Sequence, residues 1–300
     1  MAGVYWSVWV KHSRSKRHHH VPQLLQRRFC NSSGRLYFAE RDDVGECFGK
    51  ISERTPHGCF WERNRNTSLT IDGRIVDTAE EDYNKFDNFI GDMLSDIDEI
   101  TANQLIPIFP SENNKALVQF CVLLMKRSID MASSSHDEEM GTQIIEATRA
   151  DALKAGVSDE LVGYLDGLSA KHAGASARLY AQLSQSECVE AALEEYRPVL
   201  VQPSKRKGLI LGSRMVYGTY RAGCGLGDPD FQFIVPIRKD LAIVFLHKSY
   251  ECRSMTNAPD DFINELNGFI ARSSKQVASH SRQLLTAVLR RERLMQVMLT

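Results

Sequence analysis

Residues 68–100 decide the fold, because the hydrophobic period changes inside them. The first part reads Ser68-Leu69-Thr70-Ile71-Asp72-Gly73-Arg74-Ile75-Val76. Two short strand-forming runs flank Asp72-Gly73, a dipeptide suited to a type I′ hairpin turn, whose central residues both need positive φ. From Thr78 the apolar residues fall three and four apart: Tyr83, Phe86, Phe89, Ile90, Met93, Leu94, Ile97 and Ile100, with acids on the outside. That spacing is the signature of an amphipathic helix.

Outward from this junction, the N-terminal side keeps a strand-like texture. Residues 36–39, a segment near 47–51 and residues 59–61 read as short strands, so 35–77 is expected to be a small, mostly antiparallel sheet. An earlier alternation, Val4, Trp6, Val8 and Val10, reads as a strand or an arm. On the C-terminal side Ser111 caps a helix over 112–132, and three more follow at 138–155, at 159–172 capped by Ser158, and at 175–196. Gly156 and Gly174 are expected to separate them, and Pro198 to stop the last. Strands return at 208–212, 231–235 and 241–246. A helix over 259–274 carries Phe262, Ile263, Leu266, Phe269 and Ile270 on one face, and a last helix, about 281–298, displays Arg290, Arg291 and Arg293.

The double change of period predicts an α+β fold: a mixed, largely antiparallel sheet from the N-terminal and C-terminal thirds, with a helical layer from the middle. The expected organisation is a basic arm over 1–17, a single α+β domain over 18–280 with a helical insertion at about 78–196, and a C-terminal helix over 281–300.

The chain has 300 residues, 43% hydrophobic and 25% charged, enough for a full core in one large domain or two small ones. A formal net charge of -1 excludes a molecule that binds nucleic acid through bulk charge. The charge is nevertheless segregated. Residues 1–39 contain no acid, whereas Asp77, Glu80, Glu81, Asp82, Asp87, Asp92, Asp96, Asp98 and Glu99 face only Lys85 within 77–99. Either the two regions complement each other inside the fold or the basic segment binds an anion such as phosphate.

Seven cysteines without a CxxC pair argue against a disulfide framework and a zinc ribbon. His57-x-Cys59 with Cys47 matches no finger spacing. The 4–10 segment has its positive charges after it rather than before, and the longest apolar run, 116–125, is too short to span a bilayer. A cytoplasmic location without a membrane partner is the expectation.

The densest ionisable chemistry lies at Arg17-His18-His19-His20-Val21-Pro22-Gln23-Leu24-Leu25-Gln26-Arg27-Arg28-Phe29. Pro22 holds Val21 extended and suits a helix start, so the histidines fall on an extended lead-in and 23–29 on a short helix. Leu24, Leu25 and Phe29 form its buried side. Gln23 and Arg27, four apart, share another side, and Arg28 sits at the core margin. In an extended segment His18 and His20 face one way and His19 the other. The bland reading is a solvated basic segment. The functional one is a site in which His19, His20 and Gln23 are catalytic and Arg27 and Arg28 hold phosphate; a divalent metal is compatible with it, its identity and ligands unassigned.

Other motifs are weak. Gly223-Cys224-Gly225-Leu226-Gly227-Asp228 looks like a phosphate loop, but Pro229 follows and no helix opens there. Asp228 and Asp230 precede a strand, where turn chemistry explains them. Asp92, Asp96 and Glu99 mark the polar side of a surface helix.

Several landmarks together resemble one family. His19-His20-Val21-Pro22-Gln23 with Arg27-Arg28-Phe29, Leu36-Tyr37, Phe60-Trp61-Glu62, Pro236 with Asp240-Leu241-Ala242, and Leu266-Asn267-Gly268-Phe269-Ile270-Ala271 are similar to domain of unknown function 4238, over about 18–279. The resemblance implies a single bacterial-type α+β domain and brings no established reaction. Where that family commonly ends a late strand in Ser-Asp, this chain has Ser213-Arg214; chemistry that used the aspartate would be lost here. Two functions are expected to compete: a phosphodiester-directed, nuclease-like hydrolase using the His/Arg cluster on nucleic acid, and a non-catalytic anion-binding or protein-interaction module. A histidine buried beside carboxylates in a cleft favours the first. The oligomeric state is not specified by the sequence.

Overall fold

The computed structural model describes residues 17–42, 47–69, 75–76, 78–103, 105, 109, 111–130, 134–183, 191–219, 228–251 and 253–299. In chain order the N-terminal third gives β1 (Arg17–His19), α1 (Gln23–Arg28), β2 (Leu36–Glu40), β3 (Ser52–Arg54), β4 (Trp61–Arg63), β5 (Ser68–Leu69) and β6 (Ile75–Val76). Strand β5 pairs antiparallel with β6, Ser68 opposite Val76 and Leu69 opposite Ile75, as a hairpin requires. The Asp72-Gly73 turn and the 4–10 alternation lie outside the described residues. Arg17, assigned to the arm from sequence, is already the first residue of β1, which pairs antiparallel with β4.

The middle third is helical, with α2 (Thr78–Ala102), α3 (Ser111–Arg127), α4 (Asp137–Lys154), α5 (Asp159–Gly163) and α6 (Ala170–Leu183). On α2 the stripe Tyr83, Ile90, Leu94 and Ile97 is buried, while Phe89 is exposed. Phe89 lies one residue off the stripe, so it misses the core. Gly156, at φ +78°, ends α4 in the left-handed conformation that glycine tolerates. Gly174 does not separate two helices; it lies inside α6. A Cβ there would fall 1.7 Å from the carbonyl oxygen of Asp137, so glycine lets α4 and α6 meet backbone to backbone. The break falls earlier, where α5 tightens into a 3-10 turn at Tyr164–Gly167.

The last third supplies β7 (Tyr196–Gln202), β8 (Leu211–Gly212), β9 (Tyr217–Thr219), β10 (Gln232–Arg238), β11 (Leu241–His247), β12 (Met255–Asn257), α7 (Asp260–Ser273), β13 (Gln276–Ser279) and α8 (Arg282–Leu299). Tyr196 therefore opens a strand rather than closing a helix. Pro198 sits within β7 opposite Phe245, and the run Val199-Leu200-Val201 is buried, as a central strand demands. The larger sheet has the order β12-β7-β11-β10-β9, antiparallel except for the β12–β7 pair. The second has the order β3-β2-β13-β8. In it β2 pairs with β13, Phe38 opposite Ala278, so the two ends of the chain share a sheet. The fold is α+β.

One hydrophobic cluster joins these layers: Leu25 and Phe29 of α1, Phe38 of β2, Leu94 of α2, Phe120 of α3, Ile243 and Phe245 of β11 and Ile270 of α7. Each fully buried side chain of this kind contributes about 1.5–3 kcal/mol relative to exposure. The C-terminal helix belongs to the same body, since Leu285 has no exposed surface and Glu292 is held by Arg272. Among the described residues no helix is long and apolar enough to cross a membrane.

Candidate active site at the start of the first helix

The histidine segment is not solvated. His18, His19 and His20 are 0, 5 and 0% exposed. Pairing of β1 with β4 puts His19 opposite Trp61, and the His20 amide donates to the Phe60 carbonyl at 3.0 Å. Arg17 lies over the Trp61 ring at 4.7 Å. Pro22, at φ -52° and ψ 134°, turns the strand into α1, and the buried Gln26 amide clamps that turn by donating to the Val21 carbonyl at 2.8 Å.

The three imidazoles divide as strand alternation requires. His18 Nδ1 accepts the Asn66 amide at 2.7 Å, deep in the structure. His20 sits edge-on to Phe60, with centroids 6.1 Å apart, and the Gln276 side chain lies close enough to oppose part of the lowering of its pKa. Burial, then Arg65 and Arg127, hold it well below the usual histidine range. His20 is thus packed into the core, with its basicity lowered, instead of standing on an open surface. His19 lines a cleft.

That cleft, about 680 Å³, lies between α1 and α2. His19, Gln23 and Arg27 form one wall; Glu80, Asn84, Asp87 and Asp92 stand on the other. Gln23 Nε2 lies 3.3 Å from His19 Nδ1 and can only donate, so Nδ1 accepts and the ring carries its proton on Nε2. Arg27 Nη2 donates to Gln23 Oε1 at 3.3 Å. The spacing of four predicted between Gln23 and Arg27 thereby becomes a hydrogen-bonded line from the imidazole to an exposed guanidinium. Burial lowers the His19 pKa to about 4; Arg127 and Arg17 add to the effect and the backbone of His57 opposes it.

The two arginines of α1 differ. Arg27 has no carboxylate partner among the described residues. Arg28 meets both oxygens of Asp98 at 2.5 and 2.6 Å and donates to the Ile237 carbonyl at 2.8 Å. Asp98 also takes Arg238 at 2.5 Å. Arg28 therefore lines the cleft but ties α1 to α2 and β10, and its charge is neutralised where a phosphate role had been expected.

Two residues under the cleft were not singled out from sequence. Arg127 donates twice to the His19 carbonyl, at 3.1 and 2.8 Å, and grips Asp87 at 3.1 and 3.0 Å. It also covers the Tyr83 ring at 4.3 Å. Burial pushes the Asp87 carboxyl above its usual range, and Arg127 opposes that. The signal was present: Asp87 is four after Tyr83 and three before Ile90, and Arg127 is three after Leu124, so both stand on apolar stripes. A charge on the inner stripe announces a buried partner.

Arg214 lies near Asp130, whose carboxylate accepts Ser213 Oγ at 2.5 Å and the Lys275 amide at 3.0 Å. Among the described residues no three His, Cys, Asp or Glu side chains converge as a metal-ion set.

Fold and cleft together define an α+β protein with a histidine–glutamine–arginine line at a strand-to-helix junction. The sequence matches the profile described as protein of unknown function (DUF4238) over residues 17–283, and the chain belongs to that family. No curated protein and no solved structure matches it.

Proposed function

We propose that the chain is a phosphodiester-directed, nuclease-like hydrolase working in the cleft between α1 and α2. The observation that carries this reading is the line His19–Gln23–Arg27, which sets a neutral imidazole and an uncommitted guanidinium on one wall. Arg27 would hold a non-bridging phosphate oxygen. Water attacks phosphorus, its proton passes to His19 Nδ1 as the Gln23 amide gives way, and the ester P–O bond breaks with the leaving oxygen taking a proton from solvent. A phosphate anion beside His19 favours the imidazolium and so raises its basicity from the low value it has in the empty cleft. The arginine contacts would position the backbone of a nucleic acid rather than read its bases. A reducing, cytoplasmic setting belongs to the same reading, supported by the free thiols of Cys30, Cys47, Cys59 and Cys121.

The acids on the facing wall and the weak basicity of His19 favour a second reading, anion binding or protein interaction without turnover. The experiment offers a chromogenic phosphodiester and short single- and double-stranded oligonucleotides across a salt series. Hydrolysis supports the enzyme. Salt-sensitive binding without hydrolysis transfers the site to the second reading, and no binding at the lowest salt removes nucleic acid as the partner.

A further inference from the structure

Another cavity, about 450 Å³, opens between the 205–208 segment, α7 and α8. Lys205, Arg206 and Lys207 come to it from the approach to β8, and Arg291 from α8. Lys205, Arg206 and Arg291 are exposed. None of these four cations has a carboxylate partner among the described residues. Lys207 is steered instead by a neutral group, the Asn264 carbonyl oxygen at 3.1 Å.

The acids nearby do not cancel this charge. Glu292, the carboxylate on the cavity wall, is gripped by Arg272 at 2.9 and 2.8 Å. Asp260, beside the segment, accepts Ser204 Oγ at 2.8 Å, which anchors the basic run to α7. His280 also lines the cavity, and its Nδ1 has no hydrogen-bond partner. Leu284, Ala287 and Val288 add an apolar floor from one face of α8. The whole protein carries a formal charge of -1, so four cations without carboxylate partners in one concavity are a local departure that repulsion alone would disfavour.

We propose that this cavity binds a small, soluble organic phosphate of at least two negative charges, a diphosphate ester being the class that fits. Its charged end would lie among Lys205, Arg206, Lys207 and Arg291. Its organic body would rest on Leu284 and Val288. Arginine and lysine hydrogen bonds to phosphate are charge-assisted, and the planar fork of Arg206 or Arg291 suits two oxygens of one phosphate. The site shares no residue with the cleft between α1 and α2 and does not depend on the reading given to that cleft.

The test is calorimetric titration of the full chain with inorganic pyrophosphate at low salt, on wild type, Arg27→Ala, Lys205→Ala/Arg206→Ala and Arg206→Glu/Arg291→Glu. The expected result is saturable binding that persists in Arg27→Ala, the variant that removes the contribution of the α1–α2 cleft. Lys205→Ala/Arg206→Ala should weaken it about tenfold or more, as loss of charge-assisted contacts does. Charge reversal should abolish it. Thermal melts alongside verify that the exposed substitutions leave the fold intact. Binding that follows Arg27 instead, or that survives charge reversal, overturns the assignment. Flotation with phosphatidylcholine vesicles containing phosphatidic acid separates the sources of phosphate: retention on vesicles without pyrophosphate binding overturns the soluble ligand.

Discussion

Two concave regions of this molecule use similar residue types in opposite ways. In the cleft between α1 and α2, Arg28 and Arg127 are paired with Asp98 and Asp87, and elsewhere in the interior Arg65 and Arg178 pair with Glu62 and Asp137; Arg65, Arg127 and Arg178 are almost wholly buried. Around the cavity of α7 and α8, Lys205, Arg206 and Arg291 stand exposed without carboxylate partners among the described residues, and the half-buried Lys207 meets only the neutral Asn264. The difference teaches that a cation's part in the fold follows from its partner: paired and buried it holds elements together, unpaired at a rim it is spared from that task. Arg27 belongs with the second kind although its neighbours belong with the first.

Substitution at the buried pair is the strongest way to break that comparison. Asp87→Ala should leave the 2%-exposed Arg127 without its counter-ion and cost about 3–5 kcal/mol, measured by chemical denaturation. A loss within experimental scatter would show that the pair is not structural. Leu25→Ala, with no surface exposed, should cost about 2–5 kcal/mol by the cavity it leaves, with an unchanged denaturant slope.

The histidines sharpen the contrast through pH. His19 is depressed from 6.5 to about 4, and His20 is also lowered. Between those values the unfolded chain binds protons that the folded chain refuses, so stability is full above pH 6.5 and is lost progressively as pH falls through about 4. Melting temperatures recorded from pH 7.5 down to pH 4 should therefore fall, and His20→Leu should flatten part of the decline. A flat profile would mean that these imidazoles are not held neutral. At the small end, Arg206→Ala should leave stability within about 0.5 kcal/mol of wild type, as for surface sites without structural partners.

Much of the fold was legible because its signals are periodic. The change from Asp72-Gly73 to the Tyr83–Ile90–Leu94 stripe marks the sheet-to-helix boundary, and the apolar runs of β10 and β11 announce buried strands. The strand β13 was missed because Gln276-Val277-Ala278-Ser279 is four residues long and follows a helix directly. Its pairing with β2 is a contact across most of the chain, which local pattern does not encode. From sequence, the start of β7 reads as the end of a helix because Pro198 looks like a stop, whereas the branched run after it is the stronger sign of a strand. At the site, the spacing of Gln23 and Arg27 gave their shared face. The burial of His20 and the commitment of Arg28 to Asp98 arise from elements about forty and seventy residues away, which no local pattern contains.

The central claim, that His19 and not its neighbours is the working histidine, is tested most directly by paired substitution. His19→Gln and His20→Gln would each be measured for phosphodiester hydrolysis and for thermal unfolding. The account predicts that His19→Gln loses turnover with a melting temperature close to wild type, while His20→Gln lowers the melting temperature and retains turnover in proportion to the folded fraction. Full hydrolysis by His19→Gln, or loss of turnover confined to a fully folded His20→Gln, would contradict it.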